Sequence, residues 1–461
     1  MWTPELDRFS GPRYIAIADA MAESIELGSL SDGDRLPTHR ALADQLGVTV
    51  GTITRAYAEA ERRGLVTARV GRGSFISTPQ AQGDRFMIRG ESEPDCVDLQ
   101  LNLPIAKDRA DVLSQSLTEL AAAPEQMNRI LGYQPDIGMP EHREAAAKWL
   151  SLTGLHTQAD ELMITGGGQN AIMLTLMALT RSGDMILSEA ITYPGFMAVT
   201  HQLGLRPQPV AMDEEGVIPS AFEDACKQFS PRLLYCTPSL QNPTNAIMSE
   251  ARREALAEIA RRYHVWIIED SVNANLLENA PPPLAEIAPD RVIYINSASK
   301  TLAAGIRVGW IVAPKEIRSQ ISNALRASNW MTSPLLAEIC TRWINSGLAE
   351  QLLKEQKQEL GHRNQLINQY LGEFACRINP HSLHAWLELP VPWRSNEFIQ
   401  QAEQRGVKVI GENNFVVAQY RAPQAIRLSS SSAWSQNHLE RGLKVLAELL
   451  RQEPEPSLSV F

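Results

Sequence analysis

The 461-residue sequence contains an amine, a carboxylate, a guanidinium and a glycine-rich turn, each of which follows a short apolar run. The residues of interest are Gly168, Gln169, Asn242, Asp270, Ser297, Ser299, Lys300 and Arg307. A lysine amine can form a Schiff base with an aldehyde, and a carboxylate can hold a protonated ring nitrogen. Hydroxyls, a helix N-terminus and an arginine can hold a phosphate dianion. Pyridoxal 5′-phosphate needs all of these groups in one site.

The apolar runs that precede these residues are predicted to be strands of a parallel sheet. They alternate with helical patterns, which is typical of parallel strands joined by crossover helices. The predicted strands are 161–165, 184–189, 232–236, 265–269, 292–296 and 308–312. Ligands of such sheets bind beyond the carboxyl ends of the strands. The segments that follow the strands are therefore expected to meet at one site.

Over roughly residues 96–450 the sequence resembles the fold type I, aspartate-aminotransferase-like enzymes. The resemblance is carried by four separated motifs in the expected order, which are 166–171, 237–243, Asp270, and S-x-S-K-x-L-x-x-G-x-R at 297–307. It implies a large α/β domain with Lys300 as the Schiff-base lysine, Asp270 at the pyridine nitrogen and Asn242 at the ring 3-hydroxyl. The phosphate contacts that it implies are Gly168, Gln169, Ser297 and Arg307, with Ser299 close by.

Two further site residues follow from the same resemblance. Tyr193 stands where relatives stack an aromatic side chain on the ring, and Arg427 stands where relatives bind a substrate α-carboxylate, a task that suits the guanidinium fork. Simpler alternatives exist. Tyr193 could be ordinary core and Arg427 a surface ion pair, while Lys300 could be a surface lysine and Asp270 a helix cap.

The sequence departs from the family pattern at two positions. Relatives usually carry a tyrosine two or three residues after the carboxylate, where it bonds the ring 3-hydroxyl, but this chain reads Asp270-Ser271-Val272-Asn273. The common N-P-T-G segment ends here in Asn245. We expect weaker tuning of the Schiff base, which would reduce turnover more than cofactor retention.

The first 78 residues are predicted to form a winged helix-turn-helix domain, joined through a linker at 79–95 to the body at 96–461. The linker is polar, contains glycine and proline, and lacks the period of a helix or a strand. Three helices are expected, with Thr38 and Thr49 capping the second and third around a turn at Gly47. A β-hairpin follows at 65–76, with its tip at 70–73.

Charge distinguishes the two halves of this head. Residues 1–34 contain two arginines and seven acidic residues, whereas residues 35–76 contain seven arginines and three acidic residues. The arginines expected on the DNA-facing side are Arg40, Arg55, Arg62, Arg63, Arg69 and Arg72. An ordinary solvated helical face is the alternative.

Residues 12–76 also resemble the GntR family of bacterial transcription regulators. This resemblance implies that Arg40 and the wing residues Arg69 and Arg72 contact DNA phosphate and groove. It implies that Thr49, Thr52 and Arg55 lie on the reading helix. Many relatives have arginine where this chain has Val50, so the base preference of relatives should not be transferred.

A GntR-type head fused to an aminotransferase-like body is the layout of the MocR subfamily of regulators that depend on pyridoxal 5′-phosphate. The resemblance implies a homodimer, often head-to-tail, that binds double-stranded operator DNA. It also implies an effector that is an amine, an amino acid or a B6 vitamer. Two alternatives remain, a working aminotransferase with an accessory DNA-binding head and a body without cofactor that only dimerises the head.

Composition excludes several other classes of protein. The formal net charge is -10, so nucleic acid could be bound only through a local positive patch. The five cysteines are far apart and include no C-x-x-C pair, which argues against a disulfide framework or structural zinc, and no metal is expected. The N-terminal segment does not read as a signal peptide and no apolar stretch is long enough to span a bilayer. We expect a cytoplasmic protein.

Overall fold

The computed structural model describes residues 2–4, 6, 8–9, 11–27, 29–31, 34–63, 65–69, 73–76, 96–105, 109–418 and 420–452. The expected linker at 79–95 lies outside these residues. Most of the expected wing tip, including Arg72, lies outside them as well.

The head consists of three helices followed by an antiparallel hairpin. Its elements are α1 (Arg13–Glu26), α2 (His39–Leu46), α3 (Val50–Arg62), β1 (Val66–Arg69) and β2 (Gly73–Ile76). Thr38 caps α2 by accepting a hydrogen bond from the Ala41 N–H, and Thr49 caps α3 in the same way. Gly47 between them has a φ of 61°, the left-handed conformation that a tight helix-to-helix turn requires. The predicted helix-turn-helix with its wing is confirmed.

A small apolar core holds the three helices of the head together. Ile17 of α1, Leu42 of α2 and Ile53 of α3 are fully buried against one another. The Tyr57 hydroxyl donates a 2.7 Å hydrogen bond to the Pro37 carbonyl, which ties α3 to the segment before α2. These contacts hold α3 in place against the rest of the head, with its outer face on the surface.

The body alternates helices and strands over most of its length. Its helices are α4 (Arg109–Ala121), α5 (Pro124–Leu131), α6 (Pro140–Ser151), α7 (Gly168–Leu179), α8 (Pro194–Gln202), α9 (Pro219–Phe229), α10 (Glu250–Tyr263), α11 (Leu284–Ile287), α12 (Lys315–Asn329), α13 (Pro334–Asn345), α14 (Leu348–Leu371), α15 (Ser395–Gln404) and α16 (Gln436–Leu450). Its strands are β3 (Val97–Asp98), β4 (Leu162–Thr165), β5 (Met185–Glu189), β6 (Arg206–Val210), β7 (Met212–Asp213), β8 (Gly216–Val217), β9 (Leu233–Cys236), β10 (Trp266–Asp270), β11 (Val292–Ser297), β12 (Gly309–Val312), β13 (Cys376–Arg377), β14 (Ala385–Glu388), β15 (Val407–Lys408), β16 (Ile410–Gly411) and β17 (Ala425–Leu428).

Among the described residues, seven strands form the main sheet in the order β4-β12-β11-β10-β9-β5-β6. Successive side chains point to opposite faces, as on β11, where Val292 and Tyr294 enter one apolar cluster while Ile293 and Ile295 enter another. Helices cover both faces of the sheet. The carboxyl ends of its parallel strands therefore form one edge, where the polar segments collect.

The expectation of a parallel sheet is wrong for one of the predicted strands. β12 runs antiparallel to both of its neighbours, β11 and β4. The connection from Ser297 to Gly309 contains no α-helix and is too short for the crossover that a parallel neighbour needs. The edge strand β6 was not predicted, because its two prolines, Pro207 and Pro209, resemble a loop although an edge strand tolerates them.

A second sheet lies in the C-terminal part of the body. Its strand order is β13-β14-β17-β16, and α15 and α16 pack with it around a separate apolar core. The segment at 96–102 returns to this part, because β3 pairs with β15. This arrangement brings residues near 100 beside β17.

None of the described helices combines the length and the apolar character needed to cross a membrane.

Candidate functional site

The glycine-rich turn and the segment at 297–307 form one cradle. Gly167 has a φ of 95°, and a Cβ added to it would lie 2.7 Å from Nη2 of Arg307. That guanidinium donates to the Gly166 carbonyl at 3.1 Å and to the Ser299 hydroxyl at 3.4 Å. Ser297 Oγ lies 2.9 Å from Ser299 Oγ. Two hydroxyls, one guanidinium and the N-terminus of the twelve-residue helix α7 thus face one point, which suits a phosphate dianion.

Two predicted cradle residues sit at the start of α7. A Cβ on Gly168 would lie 3.0 Å from Cγ1 of Val272, so this position has little space for a side chain. Gln169 donates through Nε2 to the Gly195 carbonyl at 2.8 Å, and its buried Oε1 has no hydrogen-bond partner in the part of the chain that the structure describes. The side chain of Gln169 thus joins the cradle to the start of α8.

The carboxylate of Asp270 lies at the carboxyl end of β10 and is 2% exposed. The Tyr235 hydroxyl donates to its Oδ2 at 2.6 Å, and the Val272 N–H donates to its Oδ1 at 3.2 Å. Burial raises the pKa of Asp270, while the hydrogen bond from Tyr235 and the charge of Lys300 act in the opposite direction. Such a carboxylate can hold a protonated ring nitrogen. Sequence reasoning missed Tyr235, which it treated only as part of a strand.

Lys300 presents its amine to the same edge of the sheet. Its Nζ donates a 2.6 Å hydrogen bond to the backbone carbonyl of Asn102. Burial lowers the pKa of this amine to about 8, and the positive charges of Arg427 and Arg307 contribute while Asp270 opposes them. A lysine with a lowered pKa is a better nucleophile near neutral pH. Asn102 was also missed, because it lies in an irregular segment without a motif.

Arg427 lies in β17 and is 5% exposed. Its Nη1 donates to Asn242 Oδ1 at 2.8 Å, its Nη2 donates to the Gln100 carbonyl, and its guanidinium lies 5.0 Å from the Phe415 ring centroid. Burial lowers the pKa of Arg427 to about 10. Its buried Nε has no hydrogen-bond partner among the described residues. The structure thus brings together Arg427 and Asn242, and Arg427 is a buried cation rather than a surface ion pair.

Tyr193 is half-buried directly before α8. Burial raises the pKa of its hydroxyl, and the charge of Asp270 adds to this effect. Arg307 and Arg427 lower the same pKa, so the ring lies within electrostatic reach of both arginines. Gly195 has to be a glycine here, because an added Cβ would lie 2.4 Å from Cε1 of Tyr193.

The two departures from the family pattern have structural counterparts. Asn273, close to where relatives have a tyrosine, is buried and donates to the Leu240 carbonyl at 3.1 Å. Asn245 has a φ of 60°, a conformation that asparagine tolerates better than most residues other than glycine. Its side chain also accepts from Ser382 Oγ and donates to the His384 carbonyl. Asparagine thus replaces the usual glycine and adds contacts to the C-terminal part.

Four of the six predicted DNA contacts have described side chains, and these lie on the surface of the head. Arg40, Thr49 and Arg55 are exposed, and Thr52 is half-buried, with its Oγ1 2.9 Å from that of Thr49. Arg69 belongs to β1, but its side chain is not among those described.

Two arginines expected on the DNA-facing side are engaged within the protein. Arg62 pairs with Glu59 at 2.8 Å, and Arg63 pairs with both Glu59 and Asp19. Burial alone would raise the pKa of the Glu59 carboxyl, but hydrogen bonds from the two arginines lower it to about 2. The interpretation of Arg62 and Arg63 as part of the DNA-facing charge is therefore wrong, because acidic residues neutralise them.

The same acidic side chain joins the head to the body. Arg421 Nη2 lies 3.4 Å from Glu59 Oε1. The buried carboxylate of Glu412 is also within electrostatic reach of Arg62. Both body residues belong to the segment between β16 and β17, which also carries Phe415.

Comparison with protein families gives two matches. Residues 95–446 match the family described as aminotransferase class I and II. Residues 13–76 match the family described as bacterial regulatory proteins, gntR family. Together the two matches cover most of the body and most of the head.

Individual proteins resemble the chain over most of its length. The uncharacterized HTH-type transcriptional regulator YdeF of Bacillus subtilis is 33% identical over 97% of this chain and 96% of its own. The probable rhizopine catabolism regulatory protein MocR of Rhizobium meliloti is 24% identical over 77% of this chain and 76% of its own. A kynurenine aminotransferase of Pyrococcus horikoshii has a similar fold, with a TM-score of 0.71, 24% identity, and coverage of 77% of this chain and 91% of its own.

Proposed function

The chain belongs to the aminotransferase class I and II family and carries a GntR-family DNA-binding head, and from this premise we propose that it is a transcriptional regulator that depends on pyridoxal 5′-phosphate. It senses an amine, an amino acid or a B6 vitamer through its body. We also propose the divisions 1–78 for the head, 79–95 for the linker and 96–461 for the body. The proposed assembly is a homodimer, in the head-to-tail arrangement.

One observation carries the proposal, namely that Lys300, Asp270 and the cradle at Arg307 meet at the carboxyl edge of the main sheet. The residues fit the cofactor, because the Arg307 guanidinium leaves no space for a Cβ at Gly167 and the buried Nε of Arg427 has no partner within the described ranges. When bound, pyridoxal 5′-phosphate supplies an aldehyde that reacts reversibly with primary amines and a ring that withdraws electrons.

The residues of the chain divide the work of binding. Lys300 supplies the amine, and Asp270, held by Tyr235, keeps a proton on the ring nitrogen. The phosphate is bound by Gly168, Gln169, Ser297, Ser299 and Arg307. Tyr193 packs on the ring and Asn242 bonds its 3-hydroxyl, while Arg427 binds the carboxylate of an effector.

The head supplies the DNA contacts. Thr49, Thr52 and Arg55 face the major groove, because they lie on or at the start of the second helix of the helix-turn-helix. Arg40, Arg69 and Arg72 bind phosphate, which contributes affinity without sequence information.

A DNA-binding titration against the region upstream of the chain's own gene tests the proposal. It is run with and without pyridoxal 5′-phosphate and candidate amines, on the parent and on Lys300→Ala. Lys357→Ala is the matched control, because the Lys357 amine also donates to a backbone carbonyl and has a pKa lowered by burial, outside the site. We expect Lys300→Ala alone to lose the response to effectors. An unchanged response would refute the link between cofactor and DNA binding.

A working aminotransferase is the second candidate, and the complete set of Lys300, Asp270 and Arg427 favours it. Single-turnover spectroscopy separates the two functions. Conversion of the bound cofactor to pyridoxamine phosphate, with release of a keto acid, would establish the enzyme. A response to effectors without keto acid would support the sensor.

A further inference from the structure

A carboxylate outside the proposed site lies under two of its loops. Glu189, the last residue of β5, is 0% exposed. It accepts hydrogen bonds from Thr192 Oγ1 at 3.1 Å, from the Thr237 N–H and hydroxyl at 2.9 Å each, and from Gln241 Nε2 at 3.1 Å. These donors come from two loops that are 45 to 49 residues apart in sequence (Thr192 to Thr237, and to Gln241). One buried acid thus joins the loop after β5 to the loop after β9.

Gln241 extends this junction on both sides. Its Nε2 also donates to the Ile191 carbonyl at 2.7 Å. Its Oε1 accepts from the N–H of Thr244 at 2.8 Å and from the hydroxyl of the same residue at 2.7 Å. These hydrogen bonds tie the two loops together, so that movement of one loop would displace the other.

The side chains that these loops present are the ones proposed for the cofactor ring. Tyr193 follows Thr192 directly, and Asn242 follows Gln241 directly. Asn242 also accepts the hydrogen bond from Arg427. Any rearrangement around Glu189 would therefore displace a ring contact on each side.

A buried carboxylate of this kind needs its donors. Burial raises the pKa of Glu189 to about 7, while the hydrogen bonds from Thr237, Gln241 and Thr192 act in the opposite direction. Leaving a buried charge without partners is far more costly than leaving a neutral group, so the donors and the acid hold one another in place.

We propose that Glu189 is a positioning residue, which fixes Tyr193 and Asn242 against the cofactor ring through Thr192 and Gln241. The inference rests on the proposed function, since the ring contacts are those of the proposed cofactor site. Glu189 does not contact the cofactor itself. It acts through the geometry of the two loops.

The test variant is Glu189→Gln, which turns one acceptor oxygen into an NH₂ group that faces donors. We expect the dissociation constant for pyridoxal 5′-phosphate to rise about tenfold, because at least one hydrogen bond of the charged acceptor is lost. We also expect the pH midpoint of the absorption change of the bound cofactor to shift, which a purely structural role would not cause.

The matched control is Glu338→Gln. Glu338 is 4% exposed and lies on α13, where it accepts from Gln126 Nε2 at 2.5 Å and from Arg342 Nε at 2.8 Å, away from the two loops. It should lower stability without changing the spectroscopic midpoint. The same shift in both variants, or no shift in Glu189→Gln, would overturn the proposal.

Two further measurements test the positioning role of Glu189 if Glu189→Gln does not fold or if the cofactor does not bind. Thr192→Val removes only one of the four donors and should shift the midpoint in the same direction by a smaller amount; no shift would contradict the proposal. Hydrogen exchange of the cofactor-free protein should quicken at 190–193 and 237–244 in the Glu189 variant but not in the Glu338 variant. Failure of the parent to bind cofactor would refute the proposed function alone, whereas unchanged exchange would refute the positioning role.

Discussion

Lys300 should react with pyridoxal 5′-phosphate at a pH far below the one that an ordinary lysine needs. Only a neutral amine attacks an aldehyde, and burial lowers the pKa of this amine to about 8. At pH 7 such an amine is about one-tenth neutral, whereas a lysine with a pKa of about 10.4 is neutral in roughly 0.04% of molecules. At pH 7 the neutral fraction of the Lys300 amine should therefore be roughly 200 times that of an ordinary lysine.

Two neighbouring charges should move this pKa in opposite directions. Arg427 lowers it and Asp270 raises it, although burial is the largest cause. Replacing Arg427 by glutamine removes a repelling cation, so the pKa of Lys300 should rise by about one unit. Replacing Asp270 by asparagine removes an attracting anion, so the pKa of Lys300 should fall by a similar amount.

The assay follows covalent attachment of the cofactor to cofactor-free protein between pH 6 and pH 10. Borohydride reduction and digestion then locate the pyridoxyl tag. We expect the rate constant to rise about tenfold per unit up to pH 7 and to level off near pH 8, with the tag on Lys300. A rate constant that keeps rising towards pH 10, or a tag on another peptide, would refute the reasoning.

Three further predictions concern single side chains. Tyr235→Phe removes the 2.6 Å hydrogen bond to Asp270, so the pKa of that carboxyl should rise further and the free energy of unfolding in urea should fall by about 2 kcal/mol. Gly309→Ala places a methyl group 2.7 Å from the carbonyl carbon of Gly167, so equilibrium binding should show at least tenfold weaker retention of pyridoxal 5′-phosphate. Arg40→Ala should weaken DNA binding about equally for all DNA sequences and reduce the slope of log affinity against log salt by about one, measured by titration at several salt concentrations.

Much of the candidate site was predictable because strands of one sheet end at one edge. The order of apolar runs and polar ends placed Lys300 and Asp270 together before any contact was known. Tyr235 and Asn102 carried no such signal. The first lies inside a strand like any core residue, and the second reaches the site through the pairing of β3 with β15, which links positions about 310 residues apart.

The charge of the head shows a different limit of sequence reasoning. Counting arginines in 35–76 shows the excess of positive charge but not which arginines have partners. Arg62 and Arg63 lie at the end of α3, where Glu59 on the same helix face and Asp19 on α1 are within reach. The pairs with Glu59 follow the local i,i+3 and i,i+4 spacing of one helix, whereas the pair with Asp19 depends on how α1 crosses α3, which no local pattern records.

The ion pair between head and body can by itself change the DNA binding of one chain only by a small factor. Arg421 and Glu59 form the ion pair, and the side chain of Arg421 is 51% exposed. Pairs of this kind contribute about 0–1 kcal/mol, which changes an equilibrium by at most about fivefold. The segment that carries Arg421 also places Phe415 against Arg427, so a ligand carboxylate that competes for this guanidinium would act on the same segment. Regulation stronger than about fivefold therefore requires differential contacts beyond this pair.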